Sequence, residues 1–253
     1  VSWLFSLAYW IFFGISAIVL FLGALVICAT TALFDPTRRI LHRYTCWWSM
    51  LYLRILPGCK MIVEGREKIV PDTPYVFVAN HQSVTDVMAL AALTVPFKWV
   101  SKKENVRIPC IGWNIMLNQS VIVDRGNVAS VAKTMAACRR WLERGVPLLM
   151  FPEGHRSSDG EIAKFHNGAF KLAEGCSCPV VPIVVNGTRG IYDGLKVRVF
   201  PGVITLRVLE PVTVEQAGGK ADKLRDLVHE RMVCALAEMR GQRRETRTEP
   251  CPA

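Results

Sequence analysis

The sequence predicts an α/β fold, a mixed and mostly parallel sheet flanked by helices, with an N-terminal membrane-embedded helical segment ahead of it. Three observations carry this. Short apolar runs at 75–79, 146–151 and 179–185 alternate with amphipathic stretches, as strands buried on both faces alternate with crossover helices. Each run ends in a polar turn bearing Gly, Pro or Asn. Finally, no residue from 1 to 34 is charged. A chain of 253 residues has room for one large α/β domain with a real core, but hardly for a second. The expected division is anchoring helices over 1–58, an α/β domain over 59–240 and a polar, Pro-bearing, disordered tail over 241–253.

The elements follow in order. As a straight helix the uncharged run would be about 50 Å long, well beyond a hydrocarbon core of about 30 Å. A tilt, a kink near Gly14 or Gly23, or a re-entrant hairpin would each absorb the excess. A cleaved signal peptide is not expected, because the run lacks a basic start and is too long. Over 37–56, Ile40, Tyr44, Trp47, Trp48, Leu51 and Ile55 recur at helical spacing while Arg38, Arg39, His42, Arg43 and Arg54 fall elsewhere. That is the pattern of an interfacial helix whose arginines mark the cytoplasmic side; packing on the protein's own core is the competing reading. Strands are expected at 61–63, 75–79, 97–100, 120–123, 146–151 and 179–185. In the last, Pro182 suggests an edge or a bulge. Helices are expected from a cap at Asn127 to Arg144, with Val131, Met135, Cys138 and Leu142 as core stripe, and over 162–174 and 222–240. An antiparallel pair at 196–200 and 203–209 would make the sheet mixed.

Composition narrows the partners. A formal net charge of +10 and a pI near 9.3 suit an anionic partner, but a mean hydropathy of +0.26 argues for a membrane surface rather than nucleic acid. The nine cysteines are scattered, several in apolar segments, and read as reduced and structural. Cys176-Ser177-Cys178 is the one close pair, without a second pair or a nearby His to make a zinc site.

The candidate chemistry centres on Asn80-His81-Gln82-Ser83-Val84-Thr85-Asp86, a polar turn between a strand and a helix start. Strand ends are where an α/β sheet places its chemistry. On one helix, residues five apart diverge by about 140°, so His81 and Asp86 meet only across a turn. There the carboxylate would accept the imidazole N–H and fix its tautomer, leaving the other nitrogen to take a proton from a hydroxyl. Ser83-x-x-Asp86 also fits a capping box, and the two roles are compatible. Further on, Pro152-Glu153-Gly154-His155-Arg156 follows another strand, where Arg156 suits a phosphate and Glu153 could order a basic cluster, accept a hydroxyl or simply pair with Arg156. Lys102 and Arg125 stand at two more strand ends.

Four segments in order resemble the glycerophospholipid acyltransferases, specifically bacterial-type 1-acyl-sn-glycerol-3-phosphate acyltransferases. His81 to Asp86 looks like the His-x4-Asp motif, and 102–125, with Pro109, Gly112 and Val121-Ile122-Val123-Asp124-Arg125, like the second block. Phe151-Pro152-Glu153-Gly154-His155-Arg156-Ser157 and Val181-Pro182-Ile183-Val184 look like the third and fourth. His155 departs from the usual Thr or Ser, and Lys103-Glu104-Asn105 departs within the second block. The resemblance implies His81 as general base and Asp86 as its orienting carboxylate, with Arg156, Lys102 and Arg125 on the glycerol phosphate and Glu153 and Gly154 ordering that site. The implied partners are lysophosphatidic acid, acyl-CoA or acyl carrier protein, and membrane phospholipids, with no nucleic acid, metal or cofactor. The implied place is the cytoplasmic face of a membrane, the bacterial inner membrane. Alternatives are another lysolipid acceptor, such as a lyso-ornithine lipid, a non-catalytic lipid-binding protein, and a metal hydrolase using His81, Asp86 and His155.

Overall fold

The computed structural model describes residues 3–124, 126–193 and 198–241. Helix α1 (Trp3–Thr31) is long and apolar enough to cross a membrane. Its helical assignment runs unbroken through Gly14 and Gly23. Gly23 serves a close approach, since a Cβ there would stand 2.6 Å from the Tyr44 hydroxyl. The chain turns after Thr31, and both Asp35 oxygens receive backbone N–H groups at the start of α2 (Arg39–Arg54), from Arg39 at 2.9 Å and Ile40 at 2.8 Å. Helix α2 then runs back along α1: Arg38 donates to the Cys28 carbonyl, Tyr44 to Leu20, and Tyr52 meets Ser16 and Tyr9.

The face of α2 differs from the sequence expectation. Trp48 is buried rather than interfacial, and His42, assigned to the basic face, is buried too. Its Nε2 lies 3.0 Å from the Val95 carbonyl, and its ring meets Phe97 edge-on. The sheet below has claimed one side of the helix, leaving Ile40, Arg43, Trp47 and Arg54 outside. The competing reading, packing on the protein's own core, holds for that side.

Nine strands follow among the described residues. They are β1 (Cys59–Glu64), β2 (Val76–Ala79), β3 (Lys98–Lys102), β4 (Val121–Val123), β5 (Leu148–Met150), β6 (Val180–Asn186), β7 (Tyr192–Asp193), β8 (Arg198–Val199) and β9 (Gly202–Val208). Seven form one sheet in the order β1-β9-β6-β2-β5-β3-β4, while β7 and β8 pair by themselves. Only β6 and β9 run antiparallel in the large sheet, which makes it mixed and mostly parallel. Helices α1, α2 and α3 (Thr85–Leu90) pack on one face of it. On the other lie α5 (Val128–Glu143), α6 (Gly168–Cys176) and α7 (Ala221–Met239), with short α4 (Ile111–Leu117) beside α1.

Four local expectations are corrected. Strand β6 is central, not an edge, although it carries Pro182. Pro182 tolerates this place because its carbonyl faces the β9 side just past that strand's last residue, accepting Leu209 N–H at 2.9 Å, so its missing N–H breaks no ladder bond. The segment at 203–209 pairs with β1 and β6 rather than with 196–200, of which 198–199 pairs with β7; 196–197 lies outside the described residues, as does 242–253 of the tail. Helix α6 starts at Gly168, not at 162, leaving 162–167 as irregular chain. The Asn127 cap is present, its side chain accepting Ser130 N–H at 3.1 Å, but Val131 is exposed rather than part of the core stripe.

Burial, reinforced by the nearby Lys98 ammonium, pushes His42 from 6.5 down to about 4. Between those values the unfolded chain binds the proton and the folded chain does not, so stability falls as pH drops through the window. His42→Gln, which can still donate to Val95, should flatten the decline in thermal midpoint between pH 6.5 and 4, as read by calorimetry.

Candidate active site

The carboxyl ends of β2, β5 and β6 converge on one spot. Because these strands are parallel, the turns that leave them emerge on one edge of the sheet, and the first contributes His81. Asn80 fixes where that turn starts: its side chain accepts the Val185 N–H at 2.7 Å and donates to the Val185 carbonyl at 3.0 Å. The turn is thereby bonded to β6 as a strand would be.

His81 Nδ1 lies 2.7 Å from Asp86 Oδ2. The same oxygen accepts the backbone N–H of Gln82 at 2.6 Å and of Ser83 at 2.8 Å, and Oδ1 accepts the Thr188 hydroxyl. Asp86 is 0% exposed. Its other partners are all donors, which makes Nδ1–H the donor of the imidazole bond and Nε2 the open nitrogen. The bond to Ser83 N–H is the half of the expected capping box that forms; the other half does not, since Val84 is the N-cap of α3, without a side-chain cap bond, and the Ser83 hydroxyl accepts the Thr85 N–H at 3.3 Å. The ring lies flat on Phe151, with centroids 4.0 Å apart and planes 15° from parallel, and Trp99 stacks beyond it. The His81 side chain keeps 18% exposure.

Glu153 occupies the turn after β5 but does not face outward. It is 1% exposed, with Oε1 accepting His81 N–H at 2.7 Å and Oε2 accepting Ala163 N–H at 2.8 Å. Among the possibilities the residues left open, pairing with Arg156 does not occur. Burial raises the Glu153 carboxyl above the usual range, opposed by those two backbone donors. Gly154 makes the turn at φ 79°, a conformation costly for any side chain. The backbone beyond it returns to the dyad, where Ser157 N–H donates to the His81 carbonyl at 2.7 Å. Arg156 is exposed, and its guanidinium has no ionic or hydrogen-bond partner among the described residues. Lys102 is exposed at the end of β3. Its neighbour Lys103 pairs with Asp124 at 3.0 Å. Arg125 lies outside the described residues. His155 is exposed, and among the described residues its ring makes one hydrogen-bond contact, at 3.3 Å with the Arg156 carbonyl.

The structure therefore brings His81, Asp86 and Glu153 together, with Gly154 and Arg156 on the adjoining turn. Sequence reasoning missed Thr188 and Phe151. Thr188 follows β6 at a polar Gly-bearing turn, the same signal that marked the other two strand ends. The stacking of Phe151 had no signal, because adjacency of β2 and β5 is a property of the topology. Among the described residues no three His, Cys, Asp or Glu side chains gather at metal-holding geometry.

A family model described as Acyltransferase matches residues 60–186, half of the chain and all of this site's β2, β5 and β6 scaffold. The chain belongs to the acyltransferase family. Relatives include a 1-acyl-sn-glycerol-3-phosphate acyltransferase of Chlamydomonas reinhardtii, 36% identical across 86% of this chain and 65% of that protein. The chloroplastic enzyme of Arabidopsis thaliana is 35% identical across 83% and 58%, and the alpha form of Ovis aries 30% across 87% and 77%. The chain thus spans less than two thirds of the algal and plant relatives. The crystal structure of the 1-acyl-sn-glycerophosphate acyltransferase PlsC from Thermotoga maritima shares the fold, with a TM-score of 0.67 at 22% identity, covering 92% of this chain and 99% of that one.

Two substitutions test the buried scaffold of this acyltransferase-family site. Thr188→Val keeps the shape but leaves Asp86 Oδ1 without that donor, and should cost about 1–3 kcal/mol in urea unfolding. Glu153→Ala strands two backbone N–H groups and should cost about 2–5 kcal/mol by the same measurement.

Proposed function

We propose that the chain transfers a fatty acyl group from a thioester to the 2-hydroxyl of 1-acyl-glycerol-3-phosphate, giving phosphatidic acid. The names of its relatives support the choice of reaction. The observation that carries it is the His81–Asp86 pair, with Nδ1 committed to a buried carboxylate. In this reading Nε2 accepts the proton of the 2-hydroxyl as its oxygen attacks the thioester carbonyl. The tetrahedral intermediate collapses, the C–S bond breaks, and the thiolate takes the proton back from Nε2. Asp86 holds the tautomer and offsets the charge on the imidazolium. One imidazole thus serves both half-steps, and no acyl-enzyme is needed.

Arg156, exposed and unpaired, is the planar donor for the acceptor's phosphate, with Lys102 and Arg125 adding charge. Glu153 and Gly154 set the turn that presents Arg156, Glu153 through backbone rather than by touching lipid. The donor is acyl-CoA or acyl carrier protein, both anionic near the thioester. Helix α1 seats the enzyme in the cytoplasmic leaflet, where acceptor and product reside.

Thiol release from acyl-CoA, and separately from acyl carrier protein, should depend on added lysophosphatidic acid. His81→Ala should reduce it by roughly 10²–10⁴ while the protein stays folded and membrane-bound. Arg156→Ala should raise the acceptor KM about tenfold or more with a smaller change in kcat. Near-normal turnover in His81→Ala would remove this mechanism, and equal activity on an uncharged monoacylglycerol would remove the phosphate acceptor.

A further inference from the structure

Helix α4 does not bury all of its apolar surface. Gly112 and Asn114 face inward, Asn114 bonding to Thr45 of α2. Trp113 is 47% exposed and Met116 55% exposed, three residues apart and so on one side of the helix. Polar residues would serve as well there if water were the neighbour.

What lies beside this face identifies its partner. Trp113 packs against Phe21 of α1, ring centroids 5.5 Å apart, and Ile18 and Leu25, three residues before and four after Phe21 and so on its side of the helix, are exposed. The α4 face is therefore continuous with the uncharged outer face of α1. On α2, whose Tyr44 bonds to Leu20 of α1 and packs against Trp47, the exposed ridge reads Ile40, Arg43, Trp47, Arg54, apolar and cationic in turn. Arg43 and Arg54 have no ionic partner among the described residues, and Arg107 stands equally unpaired just ahead of α4. An apolar centre edged by unpaired arginines complements an anionic phospholipid leaflet, acyl chains in the middle and phosphates at the margin. A protein partner would have no reason to continue onto α1.

We propose that α4 is a third lipid-contacting element, with Trp113 and Met116 entering an anionic leaflet beside Phe21. This deepens the seating of α1 given above and rests on it. It also has a geometric consequence. Three helices that are not collinear define a plane, whereas one helix leaves the domain free to rotate about its axis. Contact through α4 removes that rotation, and α4 leads directly into β4, next to β3 with Lys102 at its end.

Hydroxyl-radical footprinting of the unmodified chain in phosphatidylcholine/phosphatidylglycerol nanodiscs tests this without a substitution. Met135 on α5, across the sheet and only partly exposed, is the internal reference, and Phe12 reports on α1. By exposure alone Met116 would oxidise faster than Met135. Lipid cover reverses that order, and Met116 should react at least about threefold more slowly, with Trp113 protected in parallel. Fast oxidation of Met116 with Phe12 protected overturns the α4 contact and leaves the seating of α1 intact. Fast oxidation of Phe12 as well overturns both.

Discussion

The site depends on one buried carboxylate. Asp86 has no exposure, and a carboxylate taken out of water is tolerated only where donors replace the solvent it loses. Its replacements come from three places: the His81 imidazole, two successive N–H groups of the turn after β2, and the Thr188 hydroxyl after β6. All must arrive together. A slip in the pairing of β2 with β6, where Ala79 stands opposite Ile183, would carry Thr188 away and leave the charge short of a donor. The energetic penalty of that shortfall is what ties the register of the central strands to the position of the imidazole.

Glu153 repeats the device one strand over. It too is buried, and it too spends both oxygens on backbone N–H groups, one of them belonging to His81 itself. The imidazole residue is thus held at its backbone nitrogen by the β5 turn, at its carbonyl by Ser157, at Nδ1 by α3, and across its ring face by Phe151. The acids of the site point inward to hold chain, and the unpaired cations Arg156 and Lys102 point outward. With a net charge of +10, that division leaves the open side of the site positive, suited to anionic reactants.

Much of this was legible because strands and motif turns are local. The uninterrupted apolar run at 75–79 reads as a strand with both faces covered, and it leaves His81 at its end without any knowledge of the neighbours. The same holds for 146–151 and 179–185. What was not legible required knowing which strand lies beside which. His42 reads as part of a basic face until the sheet is seen beneath it, and Pro182 reads as an edge residue until β9 is seen to stop at Val208. Glu153 shows the limit most clearly. Its flanking Pro and Gly correctly signal a defined turn, but whether the carboxylate faces in or out depends on Ala163, ten residues away in a segment whose helical pattern proved to be irregular chain.

The two departures from the family pattern can be weighed on the same physical ground. His155 replaces a usual Thr or Ser in the third block, a change that would matter if the side chain held the turn or approached the dyad. Among the described residues it makes no hydrogen bond to the dyad: it is exposed and contacts the carbonyl of Arg156, while the turn is held by Glu153, by Gly154 at positive φ and by the Ser157 N–H. In the second block, Lys103 is engaged with Asp124 across the ends of β3 and β4, and Asn105 with the Ser101 hydroxyl. These contacts fasten the segment to its own strand ends. They also remove Lys103 from competition for an anion, leaving Lys102 as the cation at the end of β3 with its charge uncommitted. Both departures therefore fall outside the bonds that set His81, and the bonds that do set it are made by residues that keep the pattern or by backbone N–H groups, which a side-chain change other than to proline leaves in place.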